Sequence, residues 1–416
     1  MTIFSSIFLV ALVLGTVLQL WLTFRQSRHV TQHRHQVPDA FAQHIQLDDH
    51  HKAADYTLAK LVLARWDMVL GVVLLLVFTF GGGLQALNVF WAGLTSSALW
   101  QGTGLILSIF LISSVLSVPM AIWGTFGVET RFGFNKSSPI QFAKDQGLEL
   151  VLSIAIGLPL ILLMLSLMES AGTLWWFWAW LSWMGFTLFF TWAFPTWIAP
   201  LFNKFTPLDD GDLRTRLEAL LTRCGFTSDG IFVMDGSKRS AHGNAYFTGF
   251  GKNKRIVFFD TLLDGLNVQQ VEAVLAHELG HFKRKHIQKR LFSMAAFSLA
   301  GLALLGWLAD QSWFYTGLGV SDQSPALALV LFMLMMPVFT VFFSPLMSLS
   351  SCKHEFEADE FAVQQTNAQD LISGLVAMYR DNASSLTPDP WYSAFHDSHP
   401  PAPVRIAHLQ SLPSSS

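Results

Sequence analysis

Seven stretches of this chain are too apolar and too long to lie on a water-facing surface: residues 4–24, 68–87, 103–123, 148–168, 173–198, 291–309 and 326–347. About 20 apolar residues wound as an α-helix cross the roughly 30 Å of hydrocarbon in a bilayer, and a helix satisfies its own backbone hydrogen bonds there. Each stretch therefore reads as a transmembrane helix. The composition agrees, because 52% hydrophobic and 13% charged residues, with 15 Trp and 36 Phe, are not the figures of a soluble protein. The first stretch lacks a basic leader and a small-residue cleavage site, so it reads as a retained anchor rather than a signal peptide.

The connecting segments set an orientation. Residues 81–101, 169–172 and 310–324, which follow the second, fourth and sixth spans, contain no Lys or Arg, and all 26 basic residues fall on the opposite side. By the positive-inside rule the N-terminus is outside, and the longest polar segment and the C-terminus are cytoplasmic. A style of sequence that looks bacterial points to an inner (plasma) membrane, or the endoplasmic reticulum if the chain is eukaryotic. The expected fold is mainly α, a polytopic membrane protein of seven transmembrane helices carrying a cytoplasmic α+β domain. Residues 1–199 hold five spans, 200–290 a cytoplasmic polar segment, 291–348 two further spans, and 349–416 a cytoplasmic tail.

A net charge of −3 argues neither for nor against nucleic acid, but no basic block is long enough to track phosphates, so no nucleic-acid partner is expected. Cys224 and Cys352, the two cysteines, are too few for a disulfide framework and read as reduced thiols. Six histidines between the first two spans (His29, His33, His35, His44, His50 and His51) follow no single helical face and read as a solvated loop.

The 200–290 segment has structure of its own. Residues 212–223 place Leu213, Leu217, Leu220 and Leu221 on one helical stripe. Short strands are expected at 230–235, 244–247 and 255–259, with Gly249, Gly251 and Asn253 turning the last pair into a hairpin. An exposed strand edge binds extended peptide through backbone hydrogen bonds, and 244–247 is the candidate edge. A purely structural hairpin fits the same pattern equally well.

Just downstream, His277, Glu278 and His281 form H-E-x-x-H. Histidines at i and i+4 present both imidazoles on one helical face, which suits a metal ion. Zn²⁺ at a catalytic site takes three protein ligands and leaves one position for water, whose proton Glu278 is placed to take. Val271, Val274 and Leu275 give the helix a buried side, while Lys283, Arg284 and Lys285 bring its end to water. Glu355 and Asp359, one turn apart in the tail, supply the missing parts: Glu355 as third ligand, Asp359 as acceptor for the free N–H of a ligand imidazole. Glu357, on another face, reads as solvated.

H-E-L-G-H with a downstream E-F-E-A-D among seven spans resembles the type I CAAX prenyl proteases, integral-membrane gluzincin metallopeptidases. The segments FGVETRFGFN, PLFNKFTPL, SAHGNAYFTGFGKNKRIVFFDTLL and DSHPPAPVRIAHL carry the likeness over nearly the whole chain. The resemblance implies one zinc per chain, held by His277, His281 and Glu355, with Glu278 as general base. It implies peptide contacts at Asn244, Ala245 and Tyr246, stabilisation of the tetrahedral intermediate by His399, and assistance on the substrate side from Arg405. It also implies a water-filled chamber inside the ring of helices. The implied partner is a peptide or protein substrate, prenylated or membrane-associated; where no prenylated protein exists, clearance of failed membrane proteins is the expected task. The oligomeric state is left open.

The chain departs from the family at Cys352, where Arg commonly stands; no ligand is lost, although Cys352 lies one turn before Glu355 and within range to compete for the metal. Two other readings are weaker. An intramembrane metalloprotease places H-E-x-x-H inside an apolar span, whereas here Glu272 and Lys283 flank it. A transporter or channel needs ionisable residues in mid-span, and these spans are nearly bare of them.

Overall fold

The computed structural model describes every residue except Met1, Thr227, Asp229, 249–254 and 414–416. Seven helices among the described residues are long and apolar enough to cross a membrane: Ile3–His33, Leu47–Phe78, Ala98–Glu129, Pro139–Ser170, Gly172–Phe202, His286–Leu308 and Pro325–Gln365. Each lies against the next, and the seventh returns to the first, which closes a ring. Side chains of Thr2, Ser138 and Ser324 accept the orphan N–H groups at the starts of the first, fourth and seventh spans.

One boundary differs from expectation. The second span stops at Phe78 rather than running to residue 87, and Gly83–Leu94 is a separate helix. The cause is the glycine run: Gly82 adopts φ 75°, and a Cβ on Gly81 would stand 2.7 Å from the Val77 carbonyl oxygen. The histidine segment also differs. His29 and His33 extend the first helix, His50 and His51 open the second, and His50 is buried with its Nε2 3.0 Å from the His33 carbonyl oxygen. Helix continuation, rather than a solvated loop, accounts for most of that stretch.

Two large hydrophobic cores form among the described residues, with a small third cluster at Ala53, Tyr56, Val128, Phe134 and Ala383. One gathers Phe8, Leu84, Leu105, Leu165, Phe314, Tyr315 and Leu327, where Gly83–Leu94 and Ser312–Gly317 lie against the spans. The other is built from the polar segment and the tail: Leu217, Leu220, Phe258, Val271, Leu275, Phe361, Leu375 and Ile406. Helix Asp212–Arg223 contributes Leu217, Leu220 and Leu221 to this second core, the stripe its spacing predicts.

A four-stranded sheet flanks the second core: β1 (Phe205–Pro207), β2 (Ile231–Met234), β3 (Ala245–Thr248) and β4 (Arg255–Phe259). Their order is β1-β2-β4-β3, with β3 antiparallel to β4 and β2 parallel to β4. The hairpin is therefore present, though its turn at Gly249, Gly251 and Asn253 lies outside the described residues. Strand β1 was not anticipated, because three residues ending in Pro carry no alternation. Among the described residues β3 ends the sheet, so one side of its backbone pairs with no strand.

The seventh span does not stop at the membrane. After a short 3₁₀ turn at Val341–Phe343 it continues as Ser344–Gln365, so the chain carrying Glu355 is the direct extension of a span. The expected break at 348 falls inside this helix.

Candidate metal centre and active site

The helix with His277 and His281 runs from Val268 to Lys283. Its start is set by a capping box: the Asn267 side chain accepts from Gln270 N–H at 2.9 Å, and the Gln270 side chain accepts from Asn267 N–H at 2.9 Å. Val271, Ala273, Val274, Leu275, Ala276 and Leu279 are buried, so the helix is fixed by packing on one side. Its opposing wall is Ser344–Gln365, and the two cross closely at Gly280, where a Cβ would stand 2.8 Å from the Ala358 Cα. That approach brings the two metal-motif stretches face to face.

His277, His281 and Glu355 then meet, one donor atom of each lying within 4.8 Å of the others. The two Nε2 atoms are 3.2 Å apart; Glu355 Oε2 is 3.5 Å from His277 Nε2, and Glu355 Oε1 is 3.3 Å from His281 Nε2. Two ligands about 2.0–2.1 Å from a tetrahedral zinc stand about 3.3 Å apart, so the spacing of the two ring nitrogens suits such an ion, and the Glu355 carboxylate turns one oxygen toward each ring. Glu355 Oε2 is also buried without a hydrogen-bond partner. A neutral-nitrogen and carboxylate set of this shape fits zinc.

Behind the triangle, His277 Nδ1 lies 2.8 Å from Asp359 Oδ1, and Asp359 is fully buried. Arg405 clamps that carboxylate in a two-pronged pair, Nε to Oδ2 and Nη2 to Oδ1, each at 2.7 Å. Expected on the substrate side, Arg405 is instead only 5% exposed, packed behind the ligands and 3.6 Å from Glu355. A guanidinium there neutralises two buried carboxylates, a need that spacing along the chain does not reveal. Burial and Arg405 press His277 toward neutrality, but the neighbouring carboxylates of Asp359 and Glu355 prevail and hold it up at about 9.

Glu278 is half-buried beside the triangle. Burial pushes its carboxyl up, against the pull of His277 and His281 and with help from Glu355. A carboxylate of raised basicity is suited to taking a proton. His399 stands on the open side, its Nε2 3.5 Å from Glu355 Oε1 and its side chain 61% exposed. Asn244 is exposed at the head of β3, where its carbonyl accepts from Phe259 N–H at 2.9 Å. Ala245 pairs with Phe258 and Tyr246 with Val257. Strand β3, at the end of the sheet, packs against the His277 helix.

Two residues escaped the sequence reading. His286 Nδ1 lies 3.0 Å from His281 Nδ1, and His286 Nε2 lies 2.9 Å from Glu357 Oε2. Glu357 is therefore a partly exposed partner of His286 rather than a free carboxylate; Lys289 and Lys353 also face it, at 3.5 and 3.9 Å. In one continuous helix, residues five apart are turned about 140° from each other and do not touch. The break at Lys285, left-handed at φ 59°, ends one helix and starts the next at His286, folding its ring back onto His281. A non-glycine in that conformation costs about 1 kcal/mol, a sign that the surrounding structure demands it. Cys352, by contrast, is no part of the His277, His281 and Glu355 group, and both cysteines are free thiols.

A three-residue cation site joined to a ring of membrane spans defines an integral-membrane metallopeptidase. Residues 26–204 match the CAAX prenyl protease N-terminal domain of five membrane helices, and residues 207–412 match peptidase family M48. The chain belongs to the CAAX prenyl protease family, and with it to the zinc metallopeptidases. It is 33% identical over 396 residues to a CAAX prenyl protease 1 homolog of Dictyostelium discoideum, covering 91% of this chain and 90% of that one. A CAAX prenyl protease 1 homolog of Arabidopsis thaliana is 35% identical over 295 residues, 71% of this chain and 70% of its own. The crystal structure of S. mikatae Ste24p matches with a TM-score of 0.91 at 29% identity, over 98% of this chain and 99% of that one. Membership in this family sets aside the transporter reading.

Proposed function

We propose that the chain is an endopeptidase that binds one Zn²⁺ through His277, His281 and Glu355 and hydrolyses peptides laid along the β3 edge. The observation that carries this is the meeting of two histidine Nε2 atoms, 3.2 Å apart, with the Glu355 carboxylate at 3.3 and 3.5 Å from them. When bound, zinc acts as a Lewis acid that lowers the pKa of water and polarises the scissile carbonyl. Glu278 takes the proton of the attacking water and delivers it to the leaving amine. His399, exposed beside Glu355, donates toward the oxygen that becomes negative. Asp359 holds the His277 tautomer with its ring nitrogen turned inward, and Arg405 holds Asp359. Backbone groups of Asn244, Ala245 and Tyr246 align the peptide as an added strand.

The relatives are named CAAX prenyl proteases, and a membrane-associated peptide with a prenylated cysteine near its C-terminus is the substrate proposed here. The joining of the site to membrane spans supports a substrate that reaches it from the bilayer. The distribution of Lys and Arg supports a cytoplasmic site, on the endoplasmic reticulum or a bacterial inner membrane according to the host. The test is cleavage of matched prenylated and plain peptides by detergent-solubilised protein, wild type against Glu278→Gln, with metal content measured on both. One zinc in each and cutting by the wild type alone is the expected result. Properly folded wild type without metal sinks the reading, and equal cutting of both peptides removes the prenyl group from it.

A further inference from the structure

The two ligand histidines are steadied by different partners: His277 by Asp359 directly, His281 by another imidazole. We infer that His286, backed by Glu357, is the positioning residue that sets the tautomer and aim of His281 for the metal. The inference rests on the reading of His277, His281 and Glu355 as ligands.

The hydrogen-bond network assigns one consistent set of protons. For Nε2 of His281 to offer a lone pair into the triangle, its proton must sit on Nδ1. That N–H faces His286 Nδ1 at 3.0 Å, which must then accept. The His286 proton is left on Nε2, where it donates to Glu357 Oε2 at 2.9 Å. The opposite assignment points the His281 proton at His277 Nε2, 3.2 Å away, and closes the site to a cation.

Position supports the same role. The His286 side chain is 5% exposed, and its ring is stacked on His354 at 4.1 Å, so its aim is held by packing as well as by Glu357. Glu357 is in turn held by Lys289. The left-handed backbone at Lys285 is what delivers His286 to this place. A ring with no task beyond filling space would not require a donor–acceptor chain ending on a carboxylate.

The test uses full-length protein stripped of metal and titrated with Zn²⁺ against a chromophoric chelator. His286→Phe keeps the stacking ring and removes the acceptor. Its zinc affinity is expected to fall about 10–100-fold, the usual effect of losing the partner of a ligand imidazole. His286→Asn puts an amide oxygen near the former Nδ1 and is expected to recover most of that affinity. The visible spectrum of the Co²⁺-loaded protein should change in His286→Phe and return toward wild type in His286→Asn. Wild-type zinc affinity in His286→Phe overturns the inference, as does a His286→Asn variant no better than His286→Phe. If His286→Phe does not fold, Glu357→Leu decides: weaker zinc binding supports the relay and unchanged binding overturns it. His281→Ala and Glu355→Ala keep the two readings apart, since undiminished zinc binding in those variants removes the ligand assignment itself, whatever His286 does.

Discussion

Gly280 and Ala358 meet backbone to backbone: a Cβ on Gly280 would stand 2.8 Å from both the Cα and the carbonyl oxygen of Ala358. This contact sets the separation of the helix bearing His277 and His281 from the helix bearing Glu355. Backbone cannot swing aside as a flexible side chain does, so Gly280→Ala must push the helices apart. The expected cost is about 1–3 kcal/mol of stability together with loss of zinc. Gly374→Ala is the control, because a Cβ there meets Gln270 at an ordinary 3.4 Å. Thermal unfolding and metal analysis of the two variants check the prediction; zinc retained in Gly280→Ala would falsify it.

Arg405 separates two roles by experiment. Packed at 5% exposure against Asp359, it balances a fully buried carboxylate. Arg405→Met leaves that charge with the His277 ring alone and is expected to destabilise the protein by about 3 kcal/mol, with activity falling alongside. A residue that only touched substrate would raise KM and leave thermal stability alone. Arg405→Lys, which loses the two-pronged geometry, should rescue little.

The β3 edge is tied to the membrane ring by a polar latch. His242, two residues before Asn244, has its Nε2 3.2 Å from Glu129 Oε2, and the Tyr56 hydroxyl donates to Glu129 Oε1. The His242 ring stacks on Phe134 at 4.2 Å, and Asn382 bonds to Gly243. Loosening this latch misplaces the strand without touching the metal site. Glu129→Leu is expected to raise KM about five- to tenfold, a loss of about 1–1.4 kcal/mol, with zinc content unchanged. A fall in kcat alone would place Glu129 in the chemistry instead.

Metal removal should be visible in stability. Without the cation, two imidazoles and the Glu355 carboxylate crowd one buried pocket. Zinc at about a hundred times its dissociation constant contributes about 2.7 kcal/mol through binding linkage. The melting temperature of chelator-treated protein is expected to drop and to recover on adding zinc, but not on adding magnesium. No change on chelation argues that the native protein holds no metal there.

The span count, the amphipathic helix at Asp212–Arg223 and the H-E-x-x-H turn were legible from the sequence, because each is a local signal. An apolar run of sufficient length, a 3.6-residue stripe and two histidines one turn apart need only the helix repeat to be understood. What the tertiary structure decided lies across distances that no repeat encodes. Arg405 reaches Asp359 over 46 residues, and His286 reaches Glu357 over 71. Burial then turned Arg405 from an expected substrate contact into a counter-ion, and the approach of His286 turned Glu357 into its partner. His286 was hidden by a single backbone torsion at Lys285, since an unbroken helix would have turned its ring away from His281. The sequence by itself determined which residue types were available to hold a cation in a membrane-bound chain. Only close packing at Gly280 and Ala358 decided which of them share one pocket, because desolvation leaves each buried charge no partner but the one the fold supplies.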